Sequence, residues 1–293
     1  MKDHSLGARF FSISNTVFMV LLIIVTAYPL YYVLIASFSD PAGLSLNPGV
    51  LLLPIEPFTL SAYKMVLSNP LITSGFRNTL FILVVGVAIN LILTVMTAYV
   101  LSLKDLMLNN QITFFIIFTM YFSGGMIPAF LNIRDLGMLD SLWSLIIPGA
   151  INTTNLIIMK TAFQTIPDSL IESARIDGAS HTKILVRIMV PLSIPTIAVM
   201  VLYYGVGHWN SWFSASIYLQ SSNKFPLQLV MRNILNATQV SSMLGGTDTD
   251  EMARLVELIK YALIVISTFP ILVLYPFLQK YFVKGMMIGA IKG

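Results

Sequence analysis

Ile171-Glu172-Ser173-Ala174-Arg175-Ile176-Asp177-Gly178-Ala179-Ser180, closed further on by Pro191, is a polar, charged island in a very apolar chain. Its local grammar is two short helices meeting at a sharp elbow. Ser169 and Glu172 have the spacing of a capping box, in which each side chain bonds an orphan amide of the first turn. Gly178 stands where a helix must stop, because glycine accepts the left-handed conformation at the C′ position. Ser180 can cap a second helix that carries Ile184, Leu185, Ile188 and Met189 on one face, with Lys183 and Arg187 off it. Pro191 and Pro195 should bend the chain into the next apolar run.

What surrounds the island decides the class of protein. Of 293 residues, 56% are hydrophobic and only 10% charged, against about 25% charged in soluble domains. The mean hydropathy is +0.83. The chain therefore reads as an all-α integral membrane protein in contact with lipid. Its net charge of +4 calls for no nucleic acid. With no cysteine, disulfides and thiolate metal sites are excluded. His4, His181 and His208 are far apart in sequence and form no metal spacing. No Gly-Lys-Ser or Gly-Lys-Thr occurs, so a phosphate-cradling loop is absent, as are paired-carboxylate and nucleophile-elbow patterns. We expect no metal, no cofactor and no catalytic residue in this chain.

A membrane span needs about 20 apolar residues. Six such runs are expected, at about Ile13 to Ser37, Asn78 to Leu103, Ile112 to Phe130, Leu142 to Thr161, Pro195 to Ile217 and Leu258 to Phe282. The first follows Lys2 and Arg9 but is too long for the core of a cleaved signal peptide. Asp40 to Phe76 is a Pro-, Gly- and Ser-rich loop with a short helix near Ser61 to Ser68. Ser123-Gly124-Gly125 and Pro128 should break the third run, and Asn152-Thr153-Thr154-Asn155 lies inside the fourth. This gives an N-terminal segment with first span and loop over 1–75, a core over 76–282 with the elbow at 167–191, and a tail over 283–293. An even number of spans puts both termini on one side. If that side is the cytoplasm, ten of the seventeen Lys and Arg fall inside and seven, among them Arg77, Lys224 and Arg232, fall outside with most of the acids. Basic residues favour the inside, so Glu172 and Asp177 are expected in the cytosol.

Glu172-x-Ala174-x-x-Asp177-Gly178-Ala179, with Pro191 beyond, resembles the EAA loop of binding-protein-dependent ABC import permeases; Ser173 stands where that family usually has Ala. The resemblance implies a type I ABC importer permease fold, in which Glu172, Ser173, Ala174, Asp177, Gly178, Ala179 and Pro191 form a coupling helix that docks in a groove of a cytoplasmic ATPase. Lys284-Gly285-x-x-x-Gly289-x-x-Lys292-Gly293 resembles the tail of the second permease of maltose-type importers. It implies that Gly285, Gly289, Lys292 and Gly293 reach between two ATPase subunits. Asn78-Thr79-Leu80, Phe122-Ser123-Gly124-Gly125-x-Ile127-Pro128, Asn155-Leu156-Ile157-Ile158-Met159 and His208-Trp209-Asn210-x-Trp212-Phe213 look like the lipo-oligosaccharide subgroup, which includes alginate importers. The partners so implied are a second, different permease chain, two ATPase subunits holding ATP and Mg, and an extracytoplasmic solute-binding protein. The location implied is the bacterial inner membrane. Residues near Gly245-Gly246-Thr247, in the outer segment Leu219 to Glu257, would meet the binding protein.

Polar and aromatic side chains within a membrane are costly unless they face a cavity or another helix. Asn90, Asn152, Asn155, Tyr203, Tyr204, Trp209, Asn210 and Trp212 are the candidates for an oligosaccharide path, since amides pair with hydroxyls and aromatic faces stack on sugar rings. The plainer alternative is helix–helix glue and an interfacial aromatic belt. No basic residue lies at mid-membrane depth, so an anionic glycan would be neutralised near the outer ends, in the partner subunit or in the binding protein. A secondary transporter driven by an ion gradient is the rival from another class. It should carry carboxylates within its spans, and none lies in the runs given above.

Overall fold

Among the described residues Pro70 opens the longest helix, at a position where its missing N–H costs nothing. The 33 residues to Ser102 contain no later proline, and their length of about 50 Å exceeds the roughly 30 Å hydrocarbon core. The computed structural model describes residues 6–46, 49–243, 258–273 and 276, and these fall into two units. In chain order the helices are α1 (Leu6–Ala36), α2 (Pro41–Leu46), α3 (Ser61–Ser68), α4 (Pro70–Ser102), α5 (Asn109–Tyr121) and α6 (Met126–Asp135). They continue as α7 (Thr153–Gln164), α8 (Asp168–Ile176), α9 (His181–Leu192), α10 (Ile194–Trp209), α11 (Trp212–Tyr218), α12 (Leu227–Met243) and α13 (Leu258–Val273). No strand occurs among the described residues.

The first unit comprises Met1–Asn69 and Ile234–Pro270. Tyrosines at the end of α1 hold its loop. The Tyr31 hydroxyl donates to Leu52 O at 2.7 Å, and Leu51 N–H donates to the Tyr28 hydroxyl at 2.9 Å. Phe38 stacks on Tyr63 of α3 at 5.2 Å. The short helix expected near Ser61 to Ser68 is present with those bounds.

The second unit, Pro70–Asn233 with Ile271–Gly293, holds the elbow. Here α4 is the central post. Ala98, Tyr99 and Leu101 of α4 pack with Leu156, Met159 and Phe163 of α7, Ile184 and Met189 of α9, and Met200 and Tyr204 of α10. A second cluster joins Ile82 to Leu145, Ile146, Ala215, Leu219 and Leu229. In lipid such packing stabilises by close contact and interhelical hydrogen bonds rather than by removing apolar surface from water.

Among the described residues two helices, α1 and α4, are long and apolar enough to cross a membrane, or up to four spans if each of two bent pairs counts as one. Two breaks fall where the sequence placed them, at Gly125 and between Pro191 and Pro195, while the fourth run and the later part of the fifth depart from single helices. The third run breaks at Gly125, whose φ of +86° is open to glycine, and α5 and α6 meet at 112°. In the fourth, only Thr153–Gln164 is α-helix. Leu142–Leu145 is a short 3₁₀ turn, and Asn152 caps α7 instead of lying within it, its Oδ1 accepting from Asn155 N–H at 3.0 Å. Just before the fifth, α9 and α10 meet at 84° around Ser193, between the two prolines as expected, and within it Asn210 and Ser211 separate α10 from α11. The sixth is described only as Leu258–Val273.

Candidate coupling elbow

The elbow is built as its residues dictate, except at its start. Pro167 precedes the first helical residue, Asp168, whose charge suits a helix N-terminus. This places Ser169 inside the first turn, and no side chain caps α8, so the expected capping box with Glu172 does not form. At the other end Gly178 has φ +75°. Its N–H donates to Arg175 O at 3.0 Å, and Ala179 N–H donates to Ala174 O at 2.9 Å. Those two bonds are the Schellman pair, and Ala174 and Ala179 supply its apolar contact against the core. Ser180 then caps α9, its hydroxyl oxygen accepting from Lys183 N–H at 3.4 Å. Ile184 and Met189 are fully buried and Leu185 packs beside them. A π turn over Leu185–Met189 precedes Pro191, which lacks the N–H that would continue the ladder.

Three contacts fasten this elbow to the end of α4 and the loop after it. Lys104 pairs with Asp168, Arg175 Nη1 lies 3.3 Å from Asp105 Oδ2, and the Tyr99 hydroxyl lies 2.8 Å from His181 Nδ1. The Asp168 carboxylate raises the Lys104 ammonium above its ordinary value, first through their hydrogen bond and then through charge. Nothing local in the sequence foretold Lys104, Asp105, Tyr99 or His181 as clamps, because each partner is remote along the chain. Ile171, Ala174 and Ala179 face inward, whereas Glu172, Ser173, Asp177 and Gly178 are exposed. Ile176 was not singled out in the sequence, yet it is 87% exposed. It sits among the exposed Glu172, Arg175 and Asp177 at the tip of this held helix.

The path candidates divide into two groups. Asn90, Asn152 and Tyr204 form a polar seam. The Asn90 amide nitrogen donates to Gly149 O and Ala150 O, both at 2.8 Å, so its Oδ1 must accept from His208 Nε2 at 2.7 Å. The Tyr204 hydroxyl accepts from Asn152 N–H at 3.1 Å and lies 2.7 Å from Thr94 Oγ1. This seam holds the non-helical backbone before α7 against α4 and α10. Asn155 is buried in the first turn of α7. The remaining candidates lie apart from it. Trp209 is buried edge-on to Phe76, its indole N–H without a partner among the described residues. Tyr203 and Asn210 are exposed, and Trp212 is half-buried beneath the guanidinium of Arg232. Gly245, Gly246, Thr247, Gly285, Gly289, Lys292 and Gly293 lie outside the described residues. No cluster of metal-ligating side chains occurs among the described residues.

A third constellation, unforeseen from the sequence, ties the loop before Leu142 to the segment after α11. Asp140, with φ +52°, accepts from the Ser221 hydroxyl at 2.6 Å, Ser221 N–H at 2.9 Å, Gln220 N–H at 3.0 Å and Lys224 Nζ at 2.9 Å. Those bonds, the Ser221 hydroxyl first, hold its carboxyl far below the usual carboxylate range.

Comparison with known proteins gives this geometry a family. Residues 80–288 match the family described as binding-protein-dependent transport system inner membrane component. Protein LplC of Bacillus subtilis is 43% identical over 98% of this chain and 96% of its own length. The polygalacturonan/rhamnogalacturonan transport system permease protein YtcP of the same organism is 40% identical over 94% and 96%. A chain in the crystal structure of a bacterial ABC transporter involved in the import of the acidic polysaccharide alginate superposes with a TM-score of 0.86 at 34% identity. That match covers 96% of this chain and 100% of the other. With a family match over most of its length and relatives this similar across nearly all of it, the chain belongs to the inner-membrane permease components of binding-protein-dependent ABC transport systems.

Proposed function

We propose that this permease is one half of the translocation path of an ATP-driven importer for an acidic oligosaccharide. The path is completed by a second, different permease chain. Two cytoplasmic ATPase subunits hold ATP and Mg, and an extracytoplasmic binding protein delivers the glycan. The chain crosses the inner membrane six times with both termini in the cytosol. The broken third, fourth and fifth runs still traverse the bilayer, and the irregular backbone of the fourth is tied to α4. Non-helical backbone at membrane depth is tolerated where protein satisfies it, as the Asn90 amide does for Gly149 and Ala150.

The observation that carries this reading is the elbow. Its outward face offers Glu172, Ser173, Ile176 and Asp177, while its back is fixed to α4 and to the loop after it. A capped helix so held transmits a displacement that a floppy loop would absorb. When ATP brings the two ATPase subunits together, the groove that seats α8 moves, and α8 pulls on α4 through Lys104, Asp105 and Tyr99. Pro191 and the Ser193 bend pass the motion into α10. Gly285, Gly289, Lys292 and Gly293 add a second contact between the ATPases, and Gly245, Gly246 and Thr247 meet the binding protein outside. Tyr203 and Asn210 offer exposed surface and Trp212 a half-buried ring to the glycan, with Asn90, Asn152, Asn155, Tyr204 and Trp209 shaping the wall behind them. The choice of an acidic glycan draws on the relatives, which handle polygalacturonan/rhamnogalacturonan and alginate.

The test is the reconstituted complex. Glu172→Lys and Gly178→Pro should each abolish oligosaccharide-stimulated ATP hydrolysis, by more than about tenfold, and weaken ATPase association. Normal transport by both variants would refute the reading.

A further inference from the structure

Arg232 lies on the second turn of α12, and its Cζ sits 3.5 Å from the ring centroid of Trp212, the separation of stacked planes. Trp212 in turn packs on the Ile82, Leu145 and Ala215 cluster, and Phe213 meets it edge-on at 5.4 Å. The indole is therefore fixed from behind, and it fixes the guanidinium in front. Among the described residues Arg232 has no carboxylate within ion-pair distance, whereas Lys104, Arg134, Arg175 and Lys224 each have one. It is also exposed.

We propose that the Arg232–Trp212 pair is a carboxylate-recognition subsite at the outer end of the path, which selects uronate-type sugars over neutral ones. This rests on the importer reading above. Stacking uses only the π face of the guanidinium, so the N–H groups around its edge stay free in one plane. That edge matches the two oxygens of a carboxylate, and a pre-oriented fork loses less freedom on binding than a flexible lysine. A purely structural role explains less. An exposed cation–π contact is a weak strut, and Leu229 already joins α12 to Ala215 and Leu219 in the core. The subsite also supplies a cation at the outer end, where an anionic glycan without basic residues at mid-membrane depth needs one.

The test uses the full complex in proteoliposomes with its binding protein, and two probes: a short oligogalacturonate and its fully methyl-esterified counterpart. The binding protein is constant, so a change in acid-over-ester uptake preference between permease variants reports the permease. Arg232→Gln should lower that preference about tenfold or more, the scale of one lost charge-assisted contact. Arg232→Lys, which keeps charge but not the planar fork, should fall between. An unchanged preference in Arg232→Gln overturns the subsite. If that variant fails to assemble, Arg232→Lys decides by the same criterion: a lowered preference supports the subsite and an unchanged one overturns it. A wild-type complex that takes up neither probe overturns the importer reading as stated, and the subsite with it.

Discussion

Asn90 and His208 settle each other's chemistry. Two backbone carbonyls, Gly149 O and Ala150 O, take both protons of the Asn90 amide, so its oxygen can only accept. His208 must therefore present a protonated Nε2. Gly86 makes room for this pair: a Cβ built there would lie 2.6 Å from His208 Nε2. Gly178 is a different kind of glycine, with nothing within 4 Å of an added Cβ but a φ of +75°. Gly86→Ala should thus displace the imidazole, break the bond to Asn90 and cost about 1–3 kcal/mol by overpacking. Gly178→Ala pays only for left-handed backbone, about 1 kcal/mol. Thermal unfolding in detergent should rank Gly86→Ala below Gly178→Ala, and the reverse order would refute this division. The two glycines also mark what a sequence can tell. Gly178 was legible because a C′ glycine followed by a capping serine is a local pattern. Gly86 was not, because its reason is a histidine 122 positions away.

At the scale of elements the same divide separates what was foreseen from what was not. The break at Gly125 and the bend between Pro191 and Pro195 were legible, since Gly and Pro act on their own backbone. The fourth run was misread as one helix because Leu142 to Ile151 is apolar, and hydropathy cannot distinguish a helix from a 3₁₀ turn followed by irregular backbone whose carbonyls are satisfied by a remote asparagine. The capping box failed because Pro167 started α8 one residue before Ser169. The Asp140 clasp is the counterpart outside the membrane. Its carboxyl is held below its unfolded value, so the ionised clasp stabilises the fold above about pH 4 and the contribution fades as pH falls toward the lowered folded value. Asp140→Asn keeps the shape and tolerates the positive φ, while removing the charge seen by Lys224. The variant should melt below wild type at neutral pH, and the gap should narrow below about pH 4. A gap that stays constant from neutral to acid pH would show that the charge does not matter.

For the whole chain, the elbow and the Asp140 clasp are expected on opposite faces of the membrane. The elbow hangs from the end of α4 at Lys104, whereas the clasp segment is tied near its beginning, where the Asn78 amide donates to Asn223 O at 2.8 Å and Leu227 N–H donates to Thr79 Oγ1 at 2.8 Å. About 35 Å of α4, from Thr79 to Ser102, separates them. The membrane family and this separation together make topology measurable without background, because the chain contains no cysteine. Ile176→Cys, at the exposed tip of α8, and Gln220→Cys, exposed beside the clasp, are single reporters. In intact cells a membrane-impermeant maleimide should label Gln220→Cys and spare Ile176→Cys, and in inside-out vesicles the pattern should reverse. Stripping the ATPase from those vesicles should increase labelling at Ile176→Cys severalfold, the outcome that the proposed seating of α8 in an ATPase groove requires. Labelling of Ile176→Cys from outside would place the elbow on the wrong side for any cytosolic motor, and labelling indifferent to the ATPase would remove α8 from the interface.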